Sequence, residues 1–208
     1  HSLPTRRSSD LRYTVESISS VLGRKTVGIA GCGGLGSNCA VALARSGVGT
    51  LIVVDFDTIT PGNLNRQFYF SHQIGLKKAP VLQENILLVN PDISIDALDL
   101  KLTPDNIPGI FAKCDVVVEA FDQASEKQML IEVMLDHFPG IPVVTGLGMA
   151  GYGENGSIHY RQWGNLHICG DEVSEIAPDL PPLAPRVGIV AHMQANAVLE
   201  ILLNDEHK

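Results

Sequence analysis

The chain has 208 residues, enough for one sizeable domain built on a single hydrophobic core. Its formal net charge of -8 argues against non-specific nucleic-acid binding, and its four cysteines form no C-x-x-C pair, so neither a disulfide framework nor a thiolate zinc clamp is expected. The sequence contains no run of 18 or more uncharged apolar residues and no secretory signal pattern, and the expectation is a soluble cytoplasmic protein that engages neither membrane nor nucleic acid.

His1 to Asp10 is polar and aperiodic and begins without methionine; it is set aside as a disordered or non-native tail preceding a single domain over 11–208. Leu11 to Leu22 predicts a short helix with Val15, Ile18 and Leu22 on one face, ended by Gly23. The organising stretch is Thr26 to Asp57. An apolar strand carrying Val27 and Ile29 reads as covered on both faces, as parallel strands are. Gly31, Gly33, Gly34 and Gly36 then remove Cβ atoms at a tight turn, and the helix from Leu35 to Ser46 starts there, so its free N–H groups can hold phosphate. Leu51 to Val54 forms the next strand, and Asp55 closes it where a nucleotide-binding βαβ unit sets an acid against a ribose hydroxyl. A purely structural glycine turn is the alternative.

Ile59 to Phe70 reads as a turn-rich loop with a single Arg66, either a surface arginine or an anion contact. Lys77 and Lys78 bring positive charge to the start of a helix carrying Val81, Ile86, Leu87 and Val89, and Asn90-Pro91 breaks it. Ile93 to Leu100 predicts a strand. Thr103 is expected to cap a short helix from Pro104 to Phe111, with Pro104 at the permissive first position. Val116 to Val118 is another buried parallel strand, ending at Asp122. That acid either caps the helix from Ser125 to Phe138 or, beside polyphosphate, works through Mg²⁺. Ile141 to Thr145 is the next strand. Tyr152 to Ile168 is expected to form two short strands around an Asn155-Gly156 turn, Gly170 to Pro185 a loop or lid, and Arg186 to Leu203 a final helix. Its His192 reads as a packed or interface histidine rather than a catalytic one.

In order along the chain, G-C-G-G-L-G-S (Gly31 to Ser37), A-R-S-G-V-G, D-F-D (Asp55 to Asp57), N-L-N-R-Q (Asn63 to Gln67), G-L-K-K (Gly75 to Lys78), N-P-D and the strand-end Asp122 resemble the ThiF, MoeB and HesA family, relatives of ubiquitin-activating enzymes. The resemblance implies a Rossmann-like α/β fold with a mainly parallel sheet, a late β-hairpin and a C-terminal helix. It implies ATP- and Mg²⁺-dependent adenylation of the C-terminal carboxylate of a small ubiquitin-like partner ending in Gly-Gly, and a homodimer. By the same resemblance Gly31, Gly33, Gly34 and Gly36 form the nucleotide loop, Asp55 meets the ribose, and Asn63, Arg66 and Lys78 address the phosphates, with Gln67 a weaker candidate beside them, Asp57 among the nucleotide-binding residues and Asp122 on the metal. Relatives hold zinc through two C-x-x-C pairs that this chain lacks, so no structural zinc is expected. An arginine supplied by the other subunit is matched by Arg12, Arg24 or Arg186, and Cys169 is the candidate carrier acceptor, weighed against a structural role. The compact pattern most resembles ThiF-like activation of a ThiS-like carrier in thiamine biosynthesis. Alternatives are a molybdopterin-pathway carrier, a nicotinamide-dependent oxidoreductase and a non-catalytic binder of ubiquitin-like proteins; a tRNA-modifying dehydratase of the same superfamily ranks below them, the chain being short and without a basic tail.

Overall fold

The computed structural model describes residues 14–204; the tail over 1–10 and Arg12 lie outside them. Six helices and seven strands follow as α1 (Val15–Leu22), β1 (Thr26–Ala30), α2 (Gly34–Arg45), β2 (Thr50–Val54), α3 (Lys78–Leu87), β3 (Ser94–Leu98), α4 (Ile107–Phe111), β4 (Val116–Glu119), α5 (Ala124–His137), β5 (Val143–Gly146), β6 (His159–Trp163), β7 (Leu166–Gly170) and α6 (Ala184–Asn204) among the described residues. The sheet order is β3-β2-β1-β4-β5-β7-β6, parallel throughout except for the β6–β7 pair. The expected α/β architecture with a late hairpin and a last helix is what the chain forms.

Helices cover both faces, and the two apolar cores record this. One core joins Val27, Ile29, Leu43, Leu51, Leu82 and Val198; the other joins Val54, Ile107, Phe111, Val117, Leu130 and Met134. The strands are Val- and Ile-rich because β-branched side chains pack well on a surface buried on both sides. α6 is long and apolar enough by composition to cross a membrane, yet it lies along α2 and over the sheet, with Arg186, Gln194 and Val198 buried.

Chain order reverses between β1 and β4: the path runs outward through β2 and β3, then returns to the other side of β1. The carboxyl ends of these two strands therefore open a crevice, the place where α/β sheets of this kind take ligands.

Four expected elements are corrected. The hairpin turns at Gly164-Asn165, between Trp163 and Leu166, while Asn155–Ser157 forms a single 3₁₀ turn. Gly164 has φ +59°, the backbone state that the first position of a tight hairpin turn requires. The helix expected from Pro104 starts at Ile107. Asn106 folds back, its Oδ1 accepting from the Thr103 N–H at 2.8 Å and its amide donating to the Lys101 carbonyl at 2.9 Å, so 103–106 stays a turn. β3 spans only Ser94–Leu98, and Val15 on α1 is 77% exposed, away from the core that takes Leu22.

Candidate active site

A cavity of about 360 Å³ opens at the reversal point, within the range of small-molecule sites. Its floor is the turn after β1. Gly31 adopts φ +96°, and a Cβ there would lie 2.9 Å from the Ala120 carbonyl oxygen of the neighbouring strand end. Gly36 lies beneath: a Cβ would come within 1.8 Å of the Gly31 oxygen. The first turn of α2 also stitches the following loop in place. The Ser37 hydroxyl donates to the Gly33 carbonyl at 2.6 Å and accepts from the Phe68 N–H at 3.0 Å, while the Asn38 amide donates to the Arg66 carbonyl at 2.9 Å. Arg66 is thereby carried to the cavity wall, its guanidinium donating to the Asn65 side chain and the Gly62 carbonyl. Gln67, 8% exposed, lines the same wall with a buried Oε1 that has no hydrogen-bond partner.

Asp55 closes β2 and accepts from the Cys32 N–H at 2.7 Å and the Asp57 N–H at 2.8 Å. Burial pushes its pKa up, against the opposing pull of Lys78 and those two N–H donors. Asp57 pairs with Lys78 at 2.7 Å, and the Lys78 side chain is 7% exposed. The two adjacent lysines are thus separated by the fold: Lys77 turns outward to Asp99 and the Phe56 carbonyl, while Lys78 turns into the cavity. Tyr69 ties this side together, its hydroxyl donating to the Cys32 carbonyl at 2.8 Å.

Across the crevice, the turn after β4 presents Ala120, Phe121, Asp122 and Gln123. Gln123, not Asp122, occupies the position preceding α5, and no side chain caps that helix. The exposed Asp122 carboxylate makes no ion pair or hydrogen bond to the described residues. Glu119, fully buried, holds Lys127 through both carboxylate oxygens at 3.1 and 3.0 Å. Among the described residues no group of three or more His, Cys, Asp or Glu side chains converges as a self-sufficient metal cage.

The roof comes from the segment between β5 and α6, which contributes Met149, Ile176 and Pro182. Two stretches of it are bound together: the Gly151 N–H donates to the Pro181 carbonyl at 2.9 Å and the Ala150 N–H to the Ser174 hydroxyl at 3.1 Å. Arg186 at the start of α6 anchors both. It is 4% exposed, pairs with the Asp171 carboxylate and donates to the Gly153 carbonyl at 2.6 Å and the Ser157 hydroxyl at 3.0 Å. Arg186, one of the alternatives for an arginine at a subunit face, is within this chain an internal tie on which four acceptors converge, the Glu154 carbonyl at 3.4 Å being the fourth.

The cavity accordingly gathers Gly31, Gly33, Gly34, Asp55, Asp57, Arg66, Gln67, Lys78 and Asp122. Gly36 and Asn63 stand outside its lining; Gly36 serves close packing, and the Asn63 carboxamide accepts from the Thr60 N–H at 2.9 Å. Cys169 is fully buried on β7, where burial raises its thiol to about 12, far from a reactive thiolate. Sequence reasoning missed Ser37 and Asn38, which seat Arg66, and Phe56, Lys101, Glu126 and Lys127 in the lining. For Lys127 the available signal was its place near the start of the helix that follows Asp122.

The ThiF family model matches residues 8–208. The adenylyltransferase and sulfurtransferase MOCS3 of Dictyostelium discoideum is 29% identical over 191 residues, covering 86% of this chain and 43% of that protein. The sulfur carrier protein ThiS adenylyltransferase of Escherichia coli is 39% identical over 101 residues, covering 48% of this chain and 40% of its own length. The chain therefore spans under half of either relative. In fold it is similar to the E. coli tRNA N6-threonylcarbamoyladenosine dehydratase TcdA in complex with ATP, with a TM-score of 0.84, 22% identity, and 92% and 91% of the two chains covered.

Proposed function

This chain belongs to the ThiF family, and from that premise we propose that it uses ATP to adenylate the C-terminal glycine carboxylate of a ThiS-like sulfur-carrier protein. The observation that carries the proposal is the gathering of the glycine turn, Arg66 and buried Lys78 in one cavity with an unpaired Asp122. The 39% identical segment shared with a ThiS adenylyltransferase supports that choice of carrier.

In this reaction the carrier carboxylate oxygen attacks the α-phosphorus, the bond to the bridging oxygen breaks, and pyrophosphate leaves. Negative charge accumulates around phosphorus, so donors fixed in advance stabilise it without reorganising. Lys78 is such a donor, held by Asp57; Arg66, tethered through Asn38, is a second. The N-terminus of α2 adds free N–H groups. Asp55 stands where a ribose hydroxyl can bond a carboxylate already aligned by two N–H donors. Hard cations take one or two carboxylates and complete their shell with phosphate and water oxygens, a requirement that unpaired Asp122 fits. Mg²⁺ held there would neutralise polyphosphate charge. The nucleophile is the partner's own carboxylate, in keeping with a Cys169 thiol buried and protonated.

ATP–pyrophosphate exchange tests the proposal, using ThiS-like and molybdopterin-type carriers with and without the terminal Gly-Gly. Exchange with the intact ThiS-like carrier alone is expected. Exchange only with the molybdopterin-type carrier would transfer the activity to that pathway, and none with either would leave a binding role.

A further inference from the structure

The acids lining the cavity are not equivalent. Asp55 accepts two backbone N–H groups, Asp57 is paired with Lys78, and Glu126 sits 3.5 Å from Lys101. Asp122 is the lining carboxylate with neither a hydrogen bond nor an ion pair among the described residues. Yet Lys127, five residues on, lines the same cavity with a side chain only 13% exposed. Its ammonium is already committed: Glu119 Oε1 and Oε2 and the Gly146 carbonyl, at 3.1, 3.0 and 2.9 Å, accept its three protons. Glu119 is in turn braced by the Phe121 N–H at 2.7 Å and by the Thr145 hydroxyl.

Resting on the reading of Asp122 as the Mg²⁺ contact, we infer that Glu119 is a positioning residue that holds the Lys127 ammonium away from Asp122 and so reserves that carboxylate for a divalent cation. A flexible lysine stem released from Glu119 would find the nearby exposed carboxylate, and an ammonium there opposes a dication by charge and by occupying the oxygens. The braces on Glu119 serve the same end, because they fix the acceptor that the ammonium must meet.

The test measures ATP affinity by calorimetry across a Mg²⁺ titration and reads the Mg²⁺ concentration at half-effect, with thermal unfolding recorded for each variant. Asp122→Asn is the reference and should raise that midpoint strongly. Glu119→Gln keeps the acceptor for Phe121 but lets Lys127 go, and should raise the midpoint about 10-fold, the scale on which groups behind metal ligands act. Adding Lys127→Met to it should bring the midpoint back, since the competitor is gone. A purely structural role for the pair predicts the opposite, a double variant at least as impaired as Glu119→Gln. Lys127→Met alone should lower the melting temperature, leaving a buried carboxylate unpaired, but keep the midpoint within about 2-fold of wild type on the same scale. If it instead raises the midpoint as far as Asp122→Asn does, or if folded Glu119→Gln leaves it unmoved, the inference is overturned. No response in Asp122→Asn would remove the metal reading and the inference with it.

Discussion

Lys78 and Arg66 both bear positive charge on the cavity wall, but the protein treats them differently. Lys78 is nearly buried and held by one carboxylate, whereas Arg66 keeps part of its guanidinium free while its stem lies over the glycine turn. A fixed, desolvated donor is worth more to a transition state than a mobile one. Lys78→Ala should therefore lower carrier-dependent exchange by about 10²–10³-fold with the fold intact, the range for deleting one preorganised donor; a loss under 10-fold would remove it from the phosphate site. The cysteines make a second prediction. All four are buried, and Cys114 and Cys169 are raised to about 12 by burial, with Asp115 adding to the effect at Cys114. A thiol reagent at neutral pH should label the native protein far more slowly than the denatured one. Rapid labelling of Cys169 in the native state would reopen a covalent role.

The βαβ unit was legible in the sequence because its signals are local: apolar strand, glycines, helix and closing acid follow one another within 32 residues. The Lys127–Glu119–Thr145 cluster was not, because it joins two strand ends and a helix and only sheet pairing brings them together. The hairpin was displaced for a different reason. Asn155-Gly156 carries the stronger dipeptide signal, but Arg186 takes the Gly153 carbonyl and Ser157 hydroxyl on either side, binding that stretch to the roof. The chain then turns at the next glycine that separates two runs of strand residues. At this scale Gly36→Ala is predicted to cost about 1–3 kcal/mol, typical of forcing atoms into packed space, because strand end and helix must part to admit one methyl group. Trp163→Ser, on an edge strand and 83% exposed, should stay within about 0.5 kcal/mol. Denaturant melts of the two variants check the contrast, and equal midpoints would show that the turn and helix part at little cost.

For the molecule as a whole, the Arg186–Asp171 tie couples the cavity roof to the last helix. Burial alone would raise the Asp171 pKa, but N–H donors from Ser174 and Val173, the Ser174 hydroxyl and Arg186 outweigh it and hold the value at about 2. A carboxylate depressed in the folded state adds stability above its unfolded value, about 3.9, and that contribution is lost as pH falls towards 2. Melting temperature should drop over that window in the wild-type protein and less steeply in Asp171→Asn, whose starting stability is lower; parallel curves would refute the linkage. From the family resemblance we propose a homodimer, and sedimentation equilibrium should then give twice the chain mass. α6 lies along α2. The glycine turn and β2 are synthesised before α6, and although α2 also packs on β1, β2 and α3, its most extensive helix contact is with residues 184–204. On the ribosome, where chains emerge from the N-terminus at about 5–20 residues per second, the side of α2 that meets α6 stays uncovered until residues 184–204 have emerged. Nascent chains should therefore bind hold-type chaperones until α6 emerges, and ribosome-stalled chains with α6 still inside the exit tunnel should be captured by them where chains extended by a linker that exposes α6 are released.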